Sequence, residues 1–181
     1  MCIDGIRVAT IQDATQIAKL VNEAYRPSSK AGGWTHESAL VSGPRASVAM
    51  IESAIASDNS TVLVGLHDHE ILACVQIEPH GDASHIGLLA VSPTLQGGGV
   101  GKEMLKHAEA FSINKYRAKK FVLAVVTNRN ELAAFYVRRG YQRSRAVTDY
   151  PKDAGVGTPL RSDLKVETYE KTAEGLITVR S

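Results

Sequence analysis

The sequence predicts an α/β fold: one domain across residues 1–181, with a mixed, mostly antiparallel central sheet flanked by helices. Three observations predict it. Apolar runs at 61–66, 71–78 and 83–91 are joined by turns too short for anything but an antiparallel meander. A long helical stripe then leads to another apolar run at 121–126, and a strand–helix–strand crossover makes its two strands parallel. No repeat or linker composition interrupts the 181 residues, a length that suits one domain with a sizeable core.

The elements follow in order. Ile6, Val8 and Thr10 alternate with Arg7 and Ala9, which gives a first strand. Asp13 or Thr15 caps a helix whose apolar face is Ile17, Leu20, Val21 and Ala24, and Pro27 ends it. The stretch 28–44 reads as a long Gly- and Ser-rich binding loop that holds the only tryptophan, Trp34. Val48, Ile51, Ile55 and Ala56 mark a second helix, closed by Ser57-Asp58-Asn59-Ser60. After the meander, Val100, Met104, Ala108 and Phe111 stripe a helix over 99–114. A shorter helix over 131–139 ends on Gly140 as its C-terminal cap. Strands at 141–147 and 163–169 close the chain, with an irregular loop at 148–162 between them.

Bulk properties narrow the function. A net charge of +2 lacks the basic bias of a nucleic-acid binder. Cys2 and Cys74 cannot build a disulfide framework or a zinc site, so no metal is expected, and Cys74 reads as a small core residue. The start of the chain is interrupted by Asp4, Arg7 and Asp13, unlike a secretory signal. No apolar stretch spans a membrane. A reducing cytoplasm is the expected compartment.

Gln96-Gly97-Gly98-Gly99-Val100-Gly101-Lys102 sits between a strand and a helix. Glycine lets a ligand approach bare backbone, and the first helical amides point outward with the positive end of the helix dipole. That is an anion site suited to pyrophosphate. Two familiar phosphate motifs fail here. A P-loop needs glycine where Gln96 stands and Ser or Thr where Glu103 stands. A dinucleotide fingerprint needs its third glycine at Met104 or, in the other frame, at Lys102.

The segment 88–105, with Leu89, Val91, Pro93, Gln96, Gly97, Gly99 and Gly101, resembles the acetyl-CoA signature of the GNAT-type N-acetyltransferases, whose centre is Gln/Arg-x-x-Gly-x-Gly/Ala. Asn130-Glu131-Leu132-Ala133-Ala134-Phe135-Tyr136 followed by Arg138-Arg139-Gly140-Tyr141 resembles that family's second cofactor segment, one strand downstream. The resemblance implies a GNAT-like fold with a splayed parallel pair and acetyl-CoA as co-substrate. It implies that Leu89, Ala90 and Val91 flank pantetheine, with the Leu89 N–H polarising the thioester carbonyl. It implies that Gln96, Gly97, Gly98, Gly99, Val100 and Gly101 hold the pyrophosphate; Lys102 either approaches a phosphate or is solvated. Asn130 is the candidate polar contact to the same ligand, although the family asparagine falls at Arg129.

For chemistry, the resemblance implies direct attack by a primary amine in a ternary complex, with Tyr136 as general acid to the departing thiolate. Glu78, His80 and His85 lie on or beside the central strands, and Glu78 is the favoured base. Trp34 and Glu37 suit a cationic amine on the acceptor side, and Arg45 either binds a substrate carboxylate or sits on the surface. The acceptor is a small-molecule or peptide amine, and homodimers are common in the family. The alternative is a non-catalytic acyl-CoA sensor that keeps only the cofactor site.

Overall fold

A computed structural model describes residues 3–27 and 36–173. Strand β1 is Gly5–Val8, and helix α1 is Ala14–Tyr25. The short β2, Val41–Ser42, precedes helix α2, Val48–Ala56. Strands β3 (Thr61–His67), β4 (Glu70–His80) and β5 (Ala83–Val91) are followed by helix α3 (Val100–Tyr116). Then come β6 (Lys120–Val126), α4 (Asn130–Val137), β7 (Gln142–Asp149), the short β8 (Thr158–Pro159) and β9 (Lys165–Thr172). Seven strands form one sheet in the order β1-β3-β4-β5-β6-β9-β7. Every pairing in it is antiparallel except β5 with β6, as the crossover through α3 requires.

Helices cover both faces of the sheet, so its central strands are apolar on both sides. In β3, Val62 and Val64 pack under α1 and α2 with Cys74 and Ala90, while Leu63 turns to the opposite cluster. That second cluster gathers Ala73, Val75 and Ile77 of β4 against Met104, Leu105 and Ala108 of α3 and Phe135 and Tyr136 of α4. The two-residue period of a strand is what sorts the side chains between faces. Ile17, Val21 and Ala24 of α1 are fully buried, as the stripe predicts. Ser47 caps α2 by accepting from the Met50 N–H at 3.2 Å.

Two local expectations need correction. Asp13 precedes α1, but its carboxylate turns back: it accepts from the Thr10 N–H at 2.7 Å and from Arg7 Nη1 at 2.7 Å. The loops expected to be irregular contain β2 and β8, which pair Val41 with Pro159 and Ser42 with Thr158. The last strand, β9, on whose neighbours the sequence is silent, lies between β6 and β7.

The β2–β8 pair is crowded at Gly157, whose φ is +102°. A Cβ there would lie 2.6 Å from the Ser42 carbonyl oxygen, 2.9 Å from Val41 Cγ1, and against Arg26 Nη1. Gly157→Ala is therefore expected to destabilise the protein by about 1–3 kcal/mol, from left-handed strain and overpacking together. Urea unfolding measures it; an unchanged midpoint would show that these loops yield freely.

Candidate functional site

The site begins with an irregularity in β5. Cys74 pairs with Ala90, but Gln76 pairs with Gly87, so Leu88 and Leu89 together face Val75. This one-residue bulge puts Leu88 at a φ of 47°, a region that side-chain-bearing residues rarely adopt. The Cys74 thiol donates to the Leu88 carbonyl at 3.4 Å. Burial pushes that thiol up to about 12, which keeps it protonated and leaves it a core residue.

Beyond the bulge, β5 leaves β6. Their ladder joins only residues 83–85 to 120–122. Strand β6 goes on pairing with β9 as far as Val126 and Val166. Alternation along the strand decides what faces the resulting gap. The Ser92 N–H donates to the Leu72 carbonyl, toward β4. The backbone groups of Val91 and Leu89, one and three residues earlier, therefore point the other way, into the gap. There the Tyr25 hydroxyl donates to the Leu89 carbonyl at 3.1 Å, and Gln96 Nε2 donates to the Val91 carbonyl at 3.0 Å.

The gap runs on to the glycine turn. Gly97 and Gly99 have φ of 86° and 88°, and a Cβ at either would meet nothing within 4 Å. Gly99 stands at the N-cap of α3, whose first-turn amides have no partner within the helix. A groove of about 260 Å³ is lined here by Leu89, Val91, Gln96, Gly97, Gly101 and Lys102, among others. Its opposite wall is Leu132, Phe135 and Tyr136 of α4, with Arg129 before that helix and Arg138 and Arg139 after it. The described lining thus holds four cations and no carboxylate or imidazole. Open glycine backbone, a helix N-terminus and four cations fit a polyanionic, phosphate-bearing ligand.

Tyr136 is buried in this wall, edge-on to Phe135 (5.2 Å between ring centroids) and to Tyr141 (5.8 Å). Burial, reinforced by Tyr25, drives its pKa well above the usual phenol value, against smaller opposing effects of Arg129 and Arg139. The phenol therefore carries its proton across the neutral range. The Arg139 guanidinium stacks 3.5 Å from the Phe135 ring centroid and donates to the Phe135 carbonyl at 2.6 Å.

Other expected residues fall outside the wall. Glu78 is exposed and accepts from Gln76 at 3.2 Å. It pairs across the sheet with His85, toward the end of β5 that still holds β6, and so away from the gap. His85 stacks 4.4 Å from His80. Asn130 is exposed at the start of α4, and it is Arg129 that enters the wall. Ala90 and Val100 have buried side chains, and neither they nor Gly98 line the groove. Trp34 lies outside the described residues.

Glu37 departs furthest from expectation. It is 4% exposed and already paired twice by this chain's own arginines. Arg26 approaches through Nη2 at 2.6 Å and Nε at 3.2 Å, and Arg129 through Nη1 at 3.2 Å. Arg26 also donates to the carbonyls of Gly43 (2.6 Å) and Val156 (2.9 Å), so the ion cluster fastens the two loops that carry β2 and β8. Such a carboxylate is not poised for a substrate ammonium.

Sequence reading missed Tyr25, which continues the apolar stripe of α1 by one residue and looks like more core. It also missed Arg129 as a wall residue. The position that the family gives to asparagine was the available signal.

With this geometry in view, similarities to known proteins are informative. The acetyltransferase (GNAT) domain model matches residues 58–143. The S-alkylcysteine N-acetyltransferase of Bacillus subtilis (strain 168) is 25% identical over 185 residues, covering 97% of this chain and 97% of that protein. The crystal structure of PaiA N-acetyltransferase from Thermoplasma acidophilum, in complex with coenzyme A, superposes with a TM-score of 0.73 at 16% identity, over 95% of this chain and 99% of that one. The ribosomal-protein-S18-alanine N-acetyltransferase of Escherichia coli superposes with a TM-score of 0.69 at 14% identity, over 93% and 92%. Among the described residues no helix is long and apolar enough to cross a membrane, and no cluster of His, Cys, Asp and Glu could hold a metal ion.

Proposed function

We propose that this chain is a GNAT-type N-acetyltransferase that uses acetyl-CoA and transfers the acetyl group directly to the primary amine of a small-molecule or peptide acceptor. The observation that carries the reading is the gap where β5 leaves β6, opening onto the glycine turn and lined with cations. Pantetheine lies along the free edge of β5 at Leu89 and Val91. The pyrophosphate rests on the amides of 97–101, with Lys102, Arg138 and Arg139 nearby. The Leu89 N–H polarises the thioester carbonyl, where attack builds negative charge that a fixed donor stabilises.

Tyr136 serves as the general acid. Its raised pKa exceeds a thiol's value of about 8.5, so it holds the departing sulfur by a donated hydrogen bond rather than by early proton transfer. No described wall residue is a base. Glu78, to which the sequence assigned that role, stands on β4 outside this lining. The whole of residues 1–181 acts as one catalytic unit.

Acetyl-CoA at 100 times its dissociation constant is expected to raise Tm by about 5–11 °C, with no comparable shift from ATP or NAD. Gly99→Val closes the left-handed cap and is expected to weaken acetyl-CoA binding about tenfold. Stabilisation by ATP or NAD alone, or no release of free thiol with any amine, would remove the reading.

A further inference from the structure

Arg45 is held in place from its backbone. The Asn22 side chain of α1 accepts from the N–H of Arg45 at 2.7 Å and of Ala46 at 3.1 Å, and donates to the Ala46 carbonyl at 2.8 Å. So anchored, the half-buried side chain lays its guanidinium 5.4 Å from the centroid of the Tyr25 ring. Tyr25 is the groove residue whose hydroxyl meets the Leu89 carbonyl. The Arg45 charge also acts on the buried Cys74 thiol beneath the bulge and on Tyr150, opposing the rise that burial gives both. The cation thus stands beside the bulge on the α1 face of the sheet, whereas the glycine turn feeds α3 on the other face.

Nothing described neutralises it. Among the described residues the Arg45 side chain forms no ion pair and no hydrogen bond. The nearby carboxylate, Glu37, is committed to Arg26 and Arg129. A half-buried guanidinium without an anion among the described residues, stacked on a wall of the reaction groove, is a ready receptor for a planar carboxylate.

We propose that Arg45 binds the carboxylate of an amino-acid acceptor and so presents its amine to the thioester beside Leu89. This rests on the acetyl-transfer reading and adds the acceptor class to it. The acceptor arrives from the α1 side, opposite the phosphates. Tyr25 forms the floor between carboxylate and amine, and the positive field of Arg45 favours an amino acid over a polyamine.

The test compares S-methyl-L-cysteine with S-methylcysteamine, which is the same amine without the carboxylate, by release of free thiol from acetyl-CoA. The native protein is expected to prefer the amino acid in kcat/KM by about 10- to 100-fold, the range of a charged hydrogen-bonded contact. Arg45→Gln is expected to erase most of that preference through KM, and Arg45→Lys to restore part of it. Loss with S-methylcysteamine should be at least about tenfold smaller. Equal use of the two amines by the native protein would overturn the proposal. So would an Arg45→Gln variant that loses both activities equally, since that marks a structural role through Tyr25. If acetyl-CoA binds but no amine releases thiol, the transfer reading falls and the acceptor site with it. Loss of the carboxylate preference alone leaves the transfer reading standing.

Discussion

Tyr136→Phe is expected to lower kcat by about 10²- to 10⁴-fold while leaving acetyl-CoA binding nearly intact. The ring stays: Tyr136 is 7% exposed and packs edge-on between Phe135 and Tyr141, contacts that phenylalanine reproduces. Only the hydroxyl is lost, and with it the hydrogen bond proposed to the leaving sulfur. The pH profile adds a second readout. Burial holds the phenol's pKa above its ordinary value of about 10, so its proton is present at every pH below that. No descending limb from Tyr136 is expected in kcat between about pH 7 and 9. Steady-state kinetics with a thermal-shift titration of acetyl-CoA separate the outcomes. Unchanged turnover, or a loss of binding as large as the loss of rate, would remove Tyr136 from the chemistry.

Glu37→Gln is expected to cost about 3–5 kcal/mol of stability, because it leaves two buried guanidinium groups facing each other without their carboxylate. The side chains of Arg26, Arg129 and Glu37 are only 6%, 7% and 4% exposed, so water screens them little. For a chain of this size that corresponds to a fall in Tm of about 6–20 °C. Loosening the cluster also releases the hold of Arg26 on Gly43 and Val156, so the loops that carry β2 and β8 should become the first region to exchange amide hydrogens. A direct role for Glu37 in holding a substrate ammonium makes the opposite forecast: a higher KM for the amine at unchanged stability. Thermal unfolding beside the kinetics distinguishes them.

How regular a trace an element leaves in the sequence decides which parts of the molecule could be read in advance. Periodicity located α1, α3 and the meander because each buries a regular face, and a regular face leaves a regular trace. The parallel relation of β5 and β6 followed from the length of the crossover alone. The glycine turn was legible because the backbone conformations at Gly97 and Gly99 restrict residue choice. The bulge was not: Leu88 is a non-glycine residue at positive φ, and one residue of register leaves no mark in composition. Long-range ion pairing was equally silent. Glu37 and Arg129 are 92 positions apart, and an isolated Glu in a Gly-rich loop carries no sign that folding will bury it between arginines. Position in β9 was hidden for the same reason, since alternation identifies a strand but not its neighbours.

That placement of β9 between β6 and β7 has a consequence for how the chain assembles. Strand β7 is made first yet has no ladder in the sheet except the one it forms with β9. Until residues 165–172 arrive, β6 presents a bare edge and β7 is a detached, mostly exposed ribbon. During synthesis the first five strands can gather around α1 and α3 well before the last two lock together. The closing event is the threading of one late strand between two waiting edges, a long-range step that places a slow, aggregation-exposed stage at the end of folding.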